Sequence, residues 1–91
     1  MSTKVIFRMF KGEPLALFPE LPGDSNPYVT CLSYQHVGQH GAACVDLRAR
    51  PAKPEEYREL QRELESIGYD DLKIARKFTR RDLDARKSAC K

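Results

Sequence analysis

The stretch from Cys31 to Cys44 holds the residue types best suited to chemistry in this chain. It contains both histidines and two of the three cysteines, and Gln-His-Val-Gly at 35–38 is followed directly by Gln-His-Gly at 39–41. Imidazoles and carboxamides offer hydrogen-bond donors and acceptors to a small ligand or to another protein. The stretch therefore predicts a noncatalytic binding surface with five members: Tyr34, Gln35, His36, Gln39 and His40.

A metal site is an alternative interpretation of the same stretch. Cys31, His36, His40 and Cys44 have the spacing Cys-x4-His-x3-His-x3-Cys, and four such ligands suit tetrahedral zinc. The spacing differs from the structural zinc patterns that begin with Cys-x2-4-Cys, and Gly38 disfavours the helix that would place both histidines on one face. We therefore expect no cofactor, with zinc as the alternative.

A thiol nucleophile is a further alternative. Cys31 or Cys44 could pair with a histidine base, but such a site needs an orienting third group and positive charge near the thiol, whereas the neighbouring residues are mostly neutral. The simplest interpretation is structural, with the stretch as a tight connection and the cysteines as small buried residues. No catalytic residue is predicted, and whether the protein is an enzyme stays open.

The C-terminal end suggests another partner, nucleic acid. From Arg76 onward the chain has seven Lys/Arg against two Asp, so this end is strongly basic. Six of these residues form the candidate phosphate-binding set: Arg76, Lys77, Arg80, Arg81, Arg86 and Lys87. Phe78 is the only aromatic residue there, which limits base stacking. Nucleic-acid binding is thus the second functional hypothesis, and a solvated charged end is the ordinary explanation.

Length and composition predict a single small domain. The chain has 91 residues, 41% of them hydrophobic and 32% charged, with a net charge of +3. Three cysteines do not make the disulfide framework of a small secreted protein, so we expect free thiols in the cytoplasm. The first apolar run, 5–10, is interrupted by Arg8 and is too short to span a membrane, so no membrane partner is expected.

The pattern of elements predicts an α+β fold. Alternation at 4–10 and a short run at 14–18 indicate a hairpin, 19–30 has loop composition, and 45–49 reads as a strand although a helix over 42–49 remains open. A helix is expected from Pro54 to about Ile67, followed by a strand over 72–78. The expected architecture is a four-stranded mixed sheet (β-β-β-α-β) with one main helix on one face. Residues 1–78 form this domain, and 79–91 form a basic tail or a short helix capped by Thr79 and Asp82.

Three finer expectations concern packing. Prolines 14 and 19 bracket the second strand, which favours a short strand or an edge position. Tyr57, Leu60, Leu64 and Ile67 recur at helical spacing and predict the inward face of the helix. The order strand-helix-strand over 43–78 predicts a right-handed crossover between parallel strands.

Three segments also carry a resemblance to known proteins: SYQHVGQHG at 33–41, RPAKPEEY at 50–57 and SIGY at 66–69. In these segments the chain resembles a group of small bacterial proteins of unknown function that are associated with phages and other mobile elements. The resemblance covers most of 4–78 and implies a bacterial or phage cytoplasmic setting with an accessory role. It implies no activity and no residue role.

Overall fold

The protein folds as a six-stranded sheet with two helices in a computed structural model that describes residues 2–35, 39–45, 49–69 and 71–89. In chain order the elements are β1 (Thr3–Phe10), β2 (Glu13–Phe18), β3 (Thr30–Gln35), β4 (Gln39–Cys44), β5 (Arg50–Pro51), α1 (Pro54–Ser66), β6 (Leu72–Ala75) and α2 (Arg80–Ala89). The strand order is β4-β3-β2-β1-β5, and β6 also pairs with β1. The α+β class is confirmed, but the sheet has more strands than the predicted four and a second helix is present.

The predicted hairpin is formed by β1 and β2. The two strands pair antiparallel up to Phe10 opposite Glu13, which leaves a two-residue turn. Lys11 and Gly12 both have positive φ, 52° and 80°. Positive φ at both central residues is the type I′ geometry, whose twist matches that of the flanking strands. Glycine meets this requirement without steric cost, and Lys11 meets it despite its side chain.

Of the two alternatives expected for β2, a short strand or an edge position, the edge position is not found. β2 pairs with β1 on one side and with β3 on the other. Pro14 pairs only with Met9 of β1, because the ladder with β3 begins at Leu15. Pro19 follows the last residue of the strand. The prolines therefore lie outside the part of β2 that has two neighbours, and their missing N–H groups do not interrupt that part of the sheet.

The predicted parallel crossover is also wrong. β6 pairs parallel with residues 3–6 of β1, whereas β5 pairs antiparallel with Arg8 and Met9 on the same strand. The strands before and after α1 thus run in opposite directions and share β1 as their neighbour. The strand expected at 45–49 is only partly within the described residues, because 46–48 lie outside them. Its two described residues are not in a strand: Val45 follows β4 and Ala49 precedes β5.

Helix α1 covers one face of the sheet as predicted. It begins at Pro54, and the Glu56 carboxylate accepts a hydrogen bond from the Lys53 backbone N–H at 2.9 Å. Leu60 and Leu64 are fully buried and pack with apolar residues of β1, β2 and β3. Ile67 does not continue this face, because the helix ends at Ser66 and the Ile67 side chain is 49% exposed.

Helix α2 is attached to the body through buried charged side chains. The Lys4 ammonium lies 2.8 Å from Asp82 Oδ1, and the Asp82 side chain is 2% exposed. Asp82 also accepts a hydrogen bond from the Thr79 N–H at 2.8 Å, and its own N–H donates to Thr79 Oγ1 at 3.3 Å. This reciprocal pair is the capping box expected from the sequence. The C-terminal segment interpreted as a tail therefore contains a capped helix anchored to β1.

Candidate functional site

The hairpin of β3 and β4 divides the predicted binding residues between two faces of the sheet. Tyr34 lies opposite His40, and Gln35 lies opposite Gln39. Residues directly opposite in an antiparallel pair share a face, and consecutive residues alternate, so the Tyr34–His40 pair and the Gln35–Gln39 pair lie on opposite faces. His36 lies outside the described residues. The structure therefore does not assemble the described members into one surface.

Tyr34 is a buried structural residue rather than an exposed contact. Its side chain is 3% exposed and packs among the apolar residues beneath α1. Its hydroxyl donates a hydrogen bond to the Glu63 carboxylate, and this bond raises the pKa of Tyr34 above its ordinary value. The structure thus places Tyr34 away from an exposed ligand surface, because the phenol is enclosed and its proton is donated within the protein.

His40 is exposed and is held by two aromatic residues. Its ring meets that of Tyr34 edge-on, with centroids 4.8 Å apart, and Nε2 lies 3.0 Å from the Tyr69 hydroxyl oxygen. Tyr69 in turn stacks on Phe18 at 5.0 Å. Burial raises the pKa of the Tyr69 phenol. The arrangement orients the imidazole at the rim of the hairpin while the residues behind it belong to the core.

Sequence reasoning missed Glu63 and Tyr69. Glu63 lies beside the inward-facing Leu60 and Leu64 on α1, a position at which a carboxylate would be expected to have a buried partner. That signal does not identify the partner, because Tyr34 is 29 residues away. Tyr69 follows the glycine that ends the helix, and only the fold brings it to His40.

The predicted zinc site does not form with Cys31 as a ligand. Cys31 lies opposite Ala43, whereas Cys44 lies opposite Thr30, so the two thiols point to opposite faces of the sheet and His40 shares the face of Cys44. Cys31 is also fully buried. Within the described ranges, no group of three or more His, Cys, Asp or Glu residues is placed to hold a metal ion.

The two described cysteines should differ sharply in reactivity. Burial raises the pKa of Cys31 to about 11, while Cys44 is exposed on β4. At pH 8 only about one thousandth of Cys31 would be thiolate, the reactive form, so a role as nucleophile is disfavoured.

We expect iodoacetamide to modify Cys44 in the folded protein and Cys31 only in denaturant, as located by fragmentation mass spectrometry. The denatured sample is the control, because both thiols are then accessible to the reagent. Equal rates for the two thiols in the folded protein would contradict the burial of Cys31.

The candidate phosphate-binding set loses one member. Arg86 is 3% exposed, and its guanidinium donates to the carbonyl oxygens of Pro27 and Pro19 at 2.9 and 2.6 Å. It also lies over the Phe78 ring at 5.7 Å. Arg86 is therefore poorly placed for phosphate binding, because its side chain is buried and its Nε and one Nη donate within the protein. The other five members are exposed: Arg76, Lys77, Arg80, Arg81 and Lys87.

Strand β4 forms an open edge of the sheet. It pairs with β3 alone among the described residues. Just beyond the strand, the Val45 N–H donates to the Val29 carbonyl at 2.8 Å, so the odd-numbered positions direct their backbone groups towards β3. His40, Ala42 and Cys44 consequently present N–H and C=O groups to the open side, where the described residues provide no backbone partner.

The side chains of β4 lack the usual protection of an edge strand. Its sequence, QHGAAC, has neither a charged residue nor a proline, and five of its six residues are exposed. Edge strands of monomeric proteins commonly carry lysine, proline or inward-pointing charges that prevent pairing with another chain. β4 therefore has the chemical properties of a strand that accepts a further strand.

Comparison with known proteins gives no independent indication of function. No family model matches the chain, and neither a curated protein nor a solved structure matches it. The resemblance to proteins of mobile elements therefore stays a prediction. Neither helix of the described ranges is long and apolar enough to cross a membrane.

Proposed function

We propose that the protein is a noncatalytic interaction module that associates through the open edge of β4, and that its partner is a second copy of the same chain. The observation that carries this proposal is a run of six uncharged residues whose outward backbone groups have no partner in the described part of the chain. Antiparallel pairing of two such edges extends the sheet across a twofold axis.

The register of this pairing follows from the outward positions. With the axis at Ala42, residue 42 of one copy faces residue 42 of the other, and His40 of each copy faces Cys44 of the other. The three outward residues on each side then exchange backbone hydrogen bonds across the seam. Each bond contributes only about 0.5–1.5 kcal/mol net, and association carries a large entropic cost. We therefore expect weak association, with a dissociation constant between about 10 µM and 1 mM.

Self-association is favoured over an unrelated partner by the chemistry of the edge. In the twofold register every side chain meets an uncharged one, so the seam itself has no repulsion although each copy has a net charge of +3. Small residues at 41–43 also leave room for the second strand. An extended peptide from another protein would use the same backbone groups.

Gly41 provides the sharpest test. A Cβ at this position would meet only Ser33 Oγ, at 3.8 Å, so a larger side chain fits without strain. We expect Gly41→Lys to weaken association at least about tenfold, because a charged residue on an edge strand opposes pairing with a second edge. Sedimentation velocity across a concentration series measures the effect, and Gly41→Ala is the matched control that adds a side chain without charge.

Amide resonances provide an independent measurement. The resonances of His40, Ala42 and Cys44 should shift with protein concentration more than those of Gly41 and Ala43, because only the first three direct their N–H groups to the seam. A protein that stays monomeric at about 1 mM would overturn the proposal, as would a Gly41→Lys variant that associates like the unmodified chain.

A further inference from the structure

A second candidate site lies at the edge of the sheet opposite β4, where β5 and β6 meet different halves of β1. β6 pairs with residues 3–6 of β1 and β5 pairs with Arg8 and Met9, so Phe7 lies between the two short strands. A cleft of about 400 Å³ opens at this position beside the N-terminal end of α1. Its volume is within the range of about 300–1,000 Å³ typical of small-ligand sites.

Aromatic and aliphatic groups line the interior of the cleft. The rings of Phe7 and Tyr57 stack with centroids 4.2 Å apart and planes 8° from parallel, and both residues line the cleft. Ile74 of β6 lines it as well and is 44% exposed, an unusual degree for an isoleucine in a strand. Phe7 is only 4% exposed and lies beneath Tyr57 as part of the core, so Tyr57 and Ile74 provide the apolar surface that a planar ligand could cover.

The rim of the cleft is cationic. Arg50, Lys53 and Arg76 line it, and no carboxylate does so among the described residues. Arg50 is already paired with Glu56, whose pKa this contact lowers to about 2. Within the described residues the side chains of Lys53 and Arg76 have no ion pair. The backbone carbonyl of Arg76 accepts a hydrogen bond from Arg8 at 2.7 Å, which fixes the position of this residue beside β1.

We propose that this cleft binds a nucleotide, with the base against the apolar lining and the phosphate between Lys53 and Arg76. An apolar ligand without charge would not use the two cations, and inorganic phosphate would not use the rings. The same chemistry is offered by a free nucleotide and by one residue of a single-stranded nucleic acid. The site is separate from the β4 edge, so neither proposal depends on the other.

Titration of the ¹⁵N-labelled protein with AMP, adenosine and inorganic phosphate tests the proposal. We expect AMP to bind about fivefold more tightly than either part alone and to shift amides that line the cleft, such as those of Ala52 and Ala75. Arg76→Gln should weaken AMP binding about fivefold. Lys77→Gln is the matched control, because it removes an adjacent exposed cation that does not line the cleft.

A hexanucleotide of deoxyadenosine separates the two sources of the ligand. Tighter binding of the oligomer than of AMP, with the same loss on Arg76→Gln, would indicate a single strand, and equal affinity would indicate a free nucleotide. Three outcomes would overturn the proposal: AMP binding no tighter than phosphate, shifts outside the cleft, or an equal loss on Lys77→Gln. Arg76 is exposed, so unchanged melting of its variant should separate lost binding from lost folding.

Discussion

Replacing Leu64 with alanine will lower the free energy of unfolding by about 2–5 kcal/mol. Leu64 is fully buried on α1 and packs against the apolar face formed by β1, β2 and β3. The substitution removes buried methyl groups and leaves a cavity that the surrounding sheet can fill only in part. Urea denaturation followed by circular dichroism measures the change, with an unchanged dependence on denaturant if the unfolded state is unaffected.

Glu65→Ala is the matched control for this prediction. Glu65 is the next residue on the same helix and is exposed, so its truncation removes no packing. We expect a change within about 0.5 kcal/mol. A Leu64→Ala variant as stable as the Glu65→Ala variant would mean that α1 does not pack on the sheet through this side.

The second large effect is expected at Asp82. Asp82→Ala removes the carboxylate that pairs with Lys4 and caps α2, and we expect a loss of about 2–4 kcal/mol. The Lys4 side chain is 20% exposed, so water compensates part of the lost pairing. Thermal and urea unfolding measure the loss, and Asp84→Ala, which truncates the exposed acid of the same helix, should change stability by less than about 0.5 kcal/mol.

A double substitution separates the charge pair from the space it fills. Replacing Lys4 with methionine and Asp82 with leucine removes both charges while keeping apolar volume, so we expect the double variant to be more stable than Asp82→Ala. If the double variant is as unstable as Asp82→Ala, the loss of stability comes from the cap that Asp82 forms with Thr79 rather than from the charge pair. Full stability of Asp82→Ala would show that α2 is not anchored through this pair.

The elements predicted correctly are those determined by residues close together in the chain. Proline at the first position of α1, two acidic residues in its first turn and leucines four apart are all local signals. The turn at Lys11 and Gly12 and the capping box at Thr79 and Asp82 are equally local. Each depends on residues within one or two turns of the backbone, so the sequence is sufficient to indicate them.

The predictions that were wrong depend on neighbours far away in the chain. An edge position was one of two alternatives for β2, because its prolines were interpreted without knowledge of where the ladder with β3 begins. Arg86 was placed in the candidate phosphate-binding set because its acceptors, the carbonyls of Pro19 and Pro27, are 67 and 59 residues away and could not be anticipated. A long basic side chain with no nearby acceptor is normally exposed, and only the folded loop provides these two oxygen atoms.

For the candidate site, the sequence by itself determined only its composition: an uncharged, glycine-containing stretch with histidines and cysteines. It was interpreted as a tight connection, whereas the structure forms the strands β3 and β4 from it. Alternation along a strand indicates which residues share a face, but it does not indicate which element packs against that face. Only the tertiary structure decided that Tyr34 faces α1, that Cys31 is buried on the opposite side and that β4 ends the sheet. The physical reason is that burial and pairing are set by contacts between distant segments, and six uncharged residues would read the same in the middle of a sheet as at its edge.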